Sequence, residues 1–99
     1  MLHIVNKSPL EKSTFETCIA HALPGSAVLL IEDGVYAVTK GNAVEPKLKE
    51  AMKNVKVYAL WPDLEARGMH DNVVDGVKQI DYEGFVDLVA EHKNSQSWL

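Results

Sequence analysis

Ala27-Val28-Leu29-Leu30-Ile31, closed by Glu32-Asp33-Gly34, is the stretch on which the fold turns. A strand with one wet face alternates apolar and polar residues, and this run does not alternate. It reads as a strand covered on both faces, as in parallel sheets. Leu2 to Val5 is a shorter run of the same kind. Val55, Val57, Ala59 and Leu60 give a third strand, and Val77 to Ile80 a shorter fourth.

The segments between these runs have helical signatures. Ser8 and Glu11 match a capping box and Pro9 suits a first helical position, so helix one is expected to begin near Pro9. Phe15, Cys18, Ile19, Ala22 and Leu23 form its apolar stripe, and Pro24-Gly25 ends it. Val35 to Val38 reads as a short helix or turn, and Pro46 to Lys53 as a helix with Leu48 and Met52 on one side. Asp63 is read as the cap of another short helix, with Arg67 four residues on as its helix-face partner and Gly68 as its end. Asp81 is placed as the cap of the last helix, in which Phe85, Val86, Leu88, Val89 and His92 keep helical spacing. Asn94 to Leu99 reads as a tail, polar until its last two residues. Strands alternating with helices over short connections give an α/β fold. The expectation is one three-layer αβα domain over residues 1–99, with a mostly parallel sheet and right-handed crossovers.

In such sheets ligands gather at the carboxyl ends of the strands. Those ends are Asn6-Lys7-Ser8, Glu32-Asp33-Gly34, Trp61-Pro62-Asp63 and Asp81. Asp33-Gly34 is best read as a turn, where glycine supplies backbone freedom and an acid favours a helix start. For Trp61 and Trp98, contact with a partner and packing on this chain's own core both stand open.

With a formal net charge of -4, the 99-residue chain lacks the basic stripe that neutralises nucleic-acid phosphates, so no direct nucleic-acid binding is expected. No run reaches the length of a membrane span, and the opening residues lack the basic-then-apolar build of a signal peptide. A cytoplasmic location without membrane contact is therefore expected. The four histidines, His3, His21, His70 and His92, show no metal-ligand spacing, and no glycine-rich phosphate loop occurs, so neither metal nor cofactor is expected. Cys18 is the single cysteine, so thiol chemistry here requires a second molecule.

Four ordered segments carry a resemblance. They are Met1-Leu2-His3-Ile4-Val5-Asn6-Lys7-Ser8-Pro9, Leu29-Leu30-Ile31-Glu32-Asp33-Gly34-Val35, Val57-Tyr58-Ala59-Leu60 running on to Asp63-Leu64-Glu65-Ala66-Arg67-Gly68, and Ile80-Asp81-Tyr82 with Phe85-Val86. Together with a tryptophan near the C-terminus, they make the chain similar to the DsrH/TusB family over nearly its whole length. The resemblance implies a DsrE-like fold and a hetero-oligomer with homologous small subunits of the TusC/TusD or DsrF/DsrE type. It also implies sulfur-donor and sulfur-acceptor proteins. Its expected role is a subunit of a sulfurtransferase, or sulfur-relay, complex that passes persulfide sulfur between protein cysteines. The sulfur goes to tRNA wobble uridine 2-thiolation in the TusB branch and to sulfur oxidation in the DsrH branch. The principal carrier cysteine belongs to a partner, so this chain is read as a non-catalytic or auxiliary subunit. A cysteine in the first helix is similar to DsrH-type members.

Within that frame Cys18 is the candidate catalytic residue, an auxiliary persulfide carrier, with His21 three residues on to lower its pKa. Against it stands the reading of Cys18 as a small hydrophobe on an apolar stripe, which has the stronger physical basis because a helix interior lacks strand-end exposure. Two other functions remain open: a free-standing thiol or redox protein using Cys18, and a structural homo-oligomer with no sulfur role. The absence of a resolving cysteine weighs against the former.

Overall fold

The computed structural model describes residues 1–98. Five strands form one all-parallel sheet: β1 (Leu2–Val5), β2 (Ala27–Leu30), β3 (Lys56–Leu60), β4 (Lys78–Ile80) and β5 (Ser95–Trp98), in the order β4-β3-β2-β1-β5. The helices are α1 (Thr14–His21), α2 (Glu45–Ala51), α3 (Trp61–Ala66) and α4 (Tyr82–Glu91), with a 3₁₀ helix over Glu32–Val38.

The continuous run of β2 is buried residue by residue, because alternate side chains feed two separate cores. Val28 and Leu30 join Val5, Val57 and Ala59 beneath Phe15 and Cys18 of α1, Val35 of the 3₁₀ helix, Leu48 of α2 and Leu64 of α3. Ala27 and Leu29 join Leu2 on the opposite face, where Leu88 and Phe85 of α4 cover them. The chain steps from β1 through β4 in one direction across the sheet, then returns past β1 to β5. Crossovers of constant right-handedness demand that the return pass over the other face. That return is α4, which among the described residues is the helix that covers the second face.

Three expectations are corrected. Helix one begins at Thr14 rather than near Pro9. The Ser8 hydroxyl accepts the Leu10 amide two residues on, and the Ser8 carbonyl takes both the Glu11 and Lys12 amides, so these residues close a turn instead of a helical cap. The polar tail contains a fifth strand. Ser95–Trp98 pairs in register with Leu2–Val5, and the Asn94 carbonyl accepts the Leu2 amide at 3.0 Å. Asp63 does not cap α3, whose N-cap is Leu60; Trp61 and Pro62 open the helix. Asp81 does cap α4, its Oδ1 accepting the Gly84 amide at 2.8 Å.

Candidate functional site

Cys18 lies on the stripe of α1 that faces the sheet, and its exposure is 0%. Burial alone pushes its thiol up from the ordinary 9.0 to about 12. Desolvation disfavours the charged form, and no neighbouring charge offsets it here. His21 does not serve it. The exposed imidazole uses Nδ1 on the Thr17 carbonyl at 2.8 Å, and its ring stands 6.0 Å from that of Trp98.

The buried histidine that does engage a side-chain partner is His3. Its Nδ1 accepts the Trp98 indole N–H at 3.1 Å, which fixes Nδ1 as the unprotonated nitrogen of this pair. Desolvation, assisted by the nearby N-terminal charge, lowers the His3 pKa below 6.5. His3, His21 and Trp98, with Met1, Leu23, Ser26 and Gln96, line a cleft of about 270 Å³. Trp98 is thus half-buried and packed on this chain, whereas Trp61 is 39% exposed. For Trp98 self-packing is the reading the contacts favour, while Trp61 meets His70 of its own chain. Sequence reasoning missed the His3–Trp98 contact because 95 residues separate the partners.

The carboxyl ends of the strands are tied to one another by their own polar groups. Glu32, at a left-handed φ of 50°, donates its amide to Asp63 Oδ2 at 2.6 Å. Asp33 Oδ1 accepts from Arg67 Nε at 3.0 Å and Nη2 at 2.9 Å, while Arg67 Nη1 donates to the Asp63 carbonyl at 3.0 Å. Asp63 and Arg67 are therefore not a simple helix-face pair; each reaches across to the 3₁₀ helix. Gly34 is required for a close approach and not for a turn conformation. A Cβ there would stand 2.3 Å from the Val5 carbonyl oxygen. Further along this rim Trp61 meets His70 edge-on at 6.2 Å, and His70 Nε2 lies 3.5 Å from Asp71 Oδ1. Asn6 Oδ1 and His70 Nδ1 are buried without a partner among the described residues. The rim holds carboxylates committed to backbone and guanidinium; the one thiol sits in the core beneath α1.

The model of a DsrH like protein matches residues 7–95. The TusB protein of Pectobacterium parmentieri is 36% identical over 98 residues, spanning 99% of this chain and 100% of that one. The chain belongs to the DsrH/TusB family. TusB of Shigella flexneri gives the same identity and coverage. Among solved structures, the ychN protein from E. coli superposes on this DsrH/TusB chain with a TM-score of 0.77 at 17% identity, covering 97% of each chain. A protein from Methanobacterium thermoautotrophicum gives 0.71 at 19% identity, covering 97% of this chain and 95% of its own. These likenesses carry the fold. Among the described residues no helix is long and apolar enough to cross a membrane.

Proposed function

We propose that the chain is a subunit of a cytoplasmic sulfur-relay assembly, seated beside homologous subunits of the TusC/TusD or DsrF/DsrE type and served by separate sulfur-donor and sulfur-acceptor proteins. In this reading the obligatory carrier thiol belongs to a partner, and Cys18 is at most auxiliary. The end-to-end match with TusB proteins supports membership of such an assembly and favours tRNA wobble uridine 2-thiolation over sulfur oxidation.

The observation that carries the assignment of roles is the burial of the chain's only cysteine. Persulfide transfer needs a thiolate to attack the outer sulfur of a donor persulfide; that S–S bond breaks, a new one forms, and the donor leaves as thiolate. A thiol held at about 12 supplies, at neutral pH, about a thousandfold less thiolate than one at 9.0. It also has no solvent-facing path for an incoming persulfide. A free-standing thiol enzyme gains no support from this geometry.

The test is sulfur-label transfer through the reconstituted complex with Cys18→Ala. Retained or only partly reduced relay is expected. Complete loss in an intact complex would contradict this division of roles and make Cys18 an obligatory carrier.

A further inference from the structure

The cleft beside Trp98 has a polar floor and apolar walls. His3 pairs with Val28 and Ser26 stands two residues before Val28, so His3 and Ser26 occupy neighbouring positions on the face of the sheet that α1 covers. Each is 5% exposed, and both line the cleft of about 270 Å³. Around them stand the indole of Trp98 and the exposed side chains of Leu23 and Met1. A few convergent polar groups at the base of an apolar hollow are what a small-molecule site is made of.

The protons on the floor identify the occupant. An indole N–H can only donate, so the His3 Nδ1 that accepts it holds the lone pair, and the single proton of the neutral ring is on Nε2. Desolvation keeps this ring neutral at pH 7. The sealed, unpartnered side-chain atoms among the described residues are Asn6 Oδ1 and His70 Nδ1, so His3 Nε2 opens to the cleft and presents a donor there. The Ser26 hydroxyl supplies a second donor. A metal ion on Nε2 would drive the proton to Nδ1, against the Trp98 N–H. A cationic ligand finds no Asp or Glu on these walls, and the N-terminal charge lies near enough to act on His3. A carboxylate offers an oxygen to each donor, while Trp98 and Leu23 call for an apolar body. We infer that the cleft binds a small monocarboxylic acid with an aromatic or branched apolar body. Its carboxylate sits on His3 Nε2 and Ser26 Oγ, and its body lies against Trp98 and Leu23. Such a site stands apart from Cys18 and does not depend on the sulfur-relay role.

The experiment titrates the full chain carrying Trp61→Phe, in which Trp98 is the one remaining indole, with phenylacetate, phenylacetamide and acetate, and reads the indole fluorescence. Saturable binding of phenylacetate is expected, with phenylacetamide and acetate weaker by about tenfold or more. Two substitutions then separate the two nitrogens of His3. His3→Asn keeps an acceptor where Nδ1 stood and removes the donor to the cleft; His3→Gln returns an N–H donor where Nε2 stood. His3→Asn should weaken binding by about tenfold, and His3→Gln should restore most of it. Leu23→Glu, which sets a carboxylate on the cleft wall, should also weaken it, with the deficit shrinking at high salt. Leu10→Glu, equally exposed but ahead of α1, should bind as its parent does. Thermal melts check that each variant folds. In the unsubstituted chain, phenylacetate should move the ¹⁵N resonances of His3 Nε2 and Trp98 Nε1 and leave Trp61 still, a readout that needs no variant. No saturable response to phenylacetate, equal affinity for phenylacetamide, parental binding by folded His3→Asn, equal loss in Leu10→Glu, or shifts at Trp61 without Trp98 would each overturn the inference.

Discussion

Cys18 and Gly34 show how single residues are held to one role by what surrounds them. Cys18 has a folded-state pKa of about 12 against an ordinary 9.0, so the unfolded chain releases this proton at lower pH than the native one. The stabilising contribution is whole below pH 9 and is lost as pH rises from 9 through 12. Its upper bound is roughly 4 kcal/mol. Chemical denaturation at pH 8 and pH 10.5 should therefore show a loss that Cys18→Ala does not share; equal pH sensitivity in both proteins would place the thiol in contact with solvent. Gly34 answers to a different constraint, since a methyl group there meets the Val5 carbonyl oxygen at 2.3 Å and backbone must move. Gly34→Ala is expected to cost about 2 kcal/mol or more, read as a lowered denaturation midpoint. The sequence marks this glycine as special, but for turn freedom; the clash with β1 depends on a contact 29 positions away in the chain, which no local pattern contains. Cys18 was legible from its stripe because apolar spacing reports burial directly. His21 was misread as its partner because three-residue spacing permits contact without specifying which way either side chain leans.

At the scale of elements, β1, β2 and β3 could be read because their residues pack on both faces, and β4 because Val77 and Ile80 bracket a short run, whereas β5 could not. Ser95, Gln96 and Ser97 are exposed, as suits an edge strand, and carry none of the signals that mark a buried one. Beyond its backbone ladder to β1, the strand is fastened by Trp98, and Trp98 donates to the unprotonated Nδ1 of His3. Protonating His3 removes that acceptor. Since its folded pKa lies below 6.5, the unfolded state takes up the proton first on acidification, and stability falls as pH drops below about 6.5 through the folded value. The loss should be concentrated at β5. Amide exchange at Ser95–Trp98 is expected to quicken between pH 7 and pH 5, after correction for intrinsic rates, with β2 unchanged. His3→Phe should abolish the acid-dependent part, and a β5 that loosens equally in that variant would show that another group controls it. The start of α1 was misplaced for a related reason: a Ser-x-x-Glu pattern fits a capping box, but it cannot reveal that the Ser8 hydroxyl is already spent on Leu10.

For the whole molecule, topology and charge act together. Three crossovers run over one face and the single return runs over the other, so one side of the sheet is thickly covered and the other thinly, with an apolar stripe left exposed on α4. The chain's charge bears on what it can bind. The chain carries 14 acidic against 10 basic side chains, and several bases are committed to acids: Lys47 to Glu16, Lys49 to Glu45, Lys53 to Glu50 and Arg67 to Asp33. Neutralising several consecutive phosphates requires unpaired cations arranged along one surface, and affinity gained that way declines steeply with salt. The isolated chain should therefore show no saturable binding to tRNA at physiological salt, by filter retention or gel shift. If the complex with its partner subunits binds tRNA, the binding should persist when Lys7, Lys12 and Lys40 of this chain are changed together to Gln. Binding by the isolated chain that weakens with rising salt would contradict this account, because it would mean that the chain itself presents the cationic surface that its ion pairs and net charge deny it.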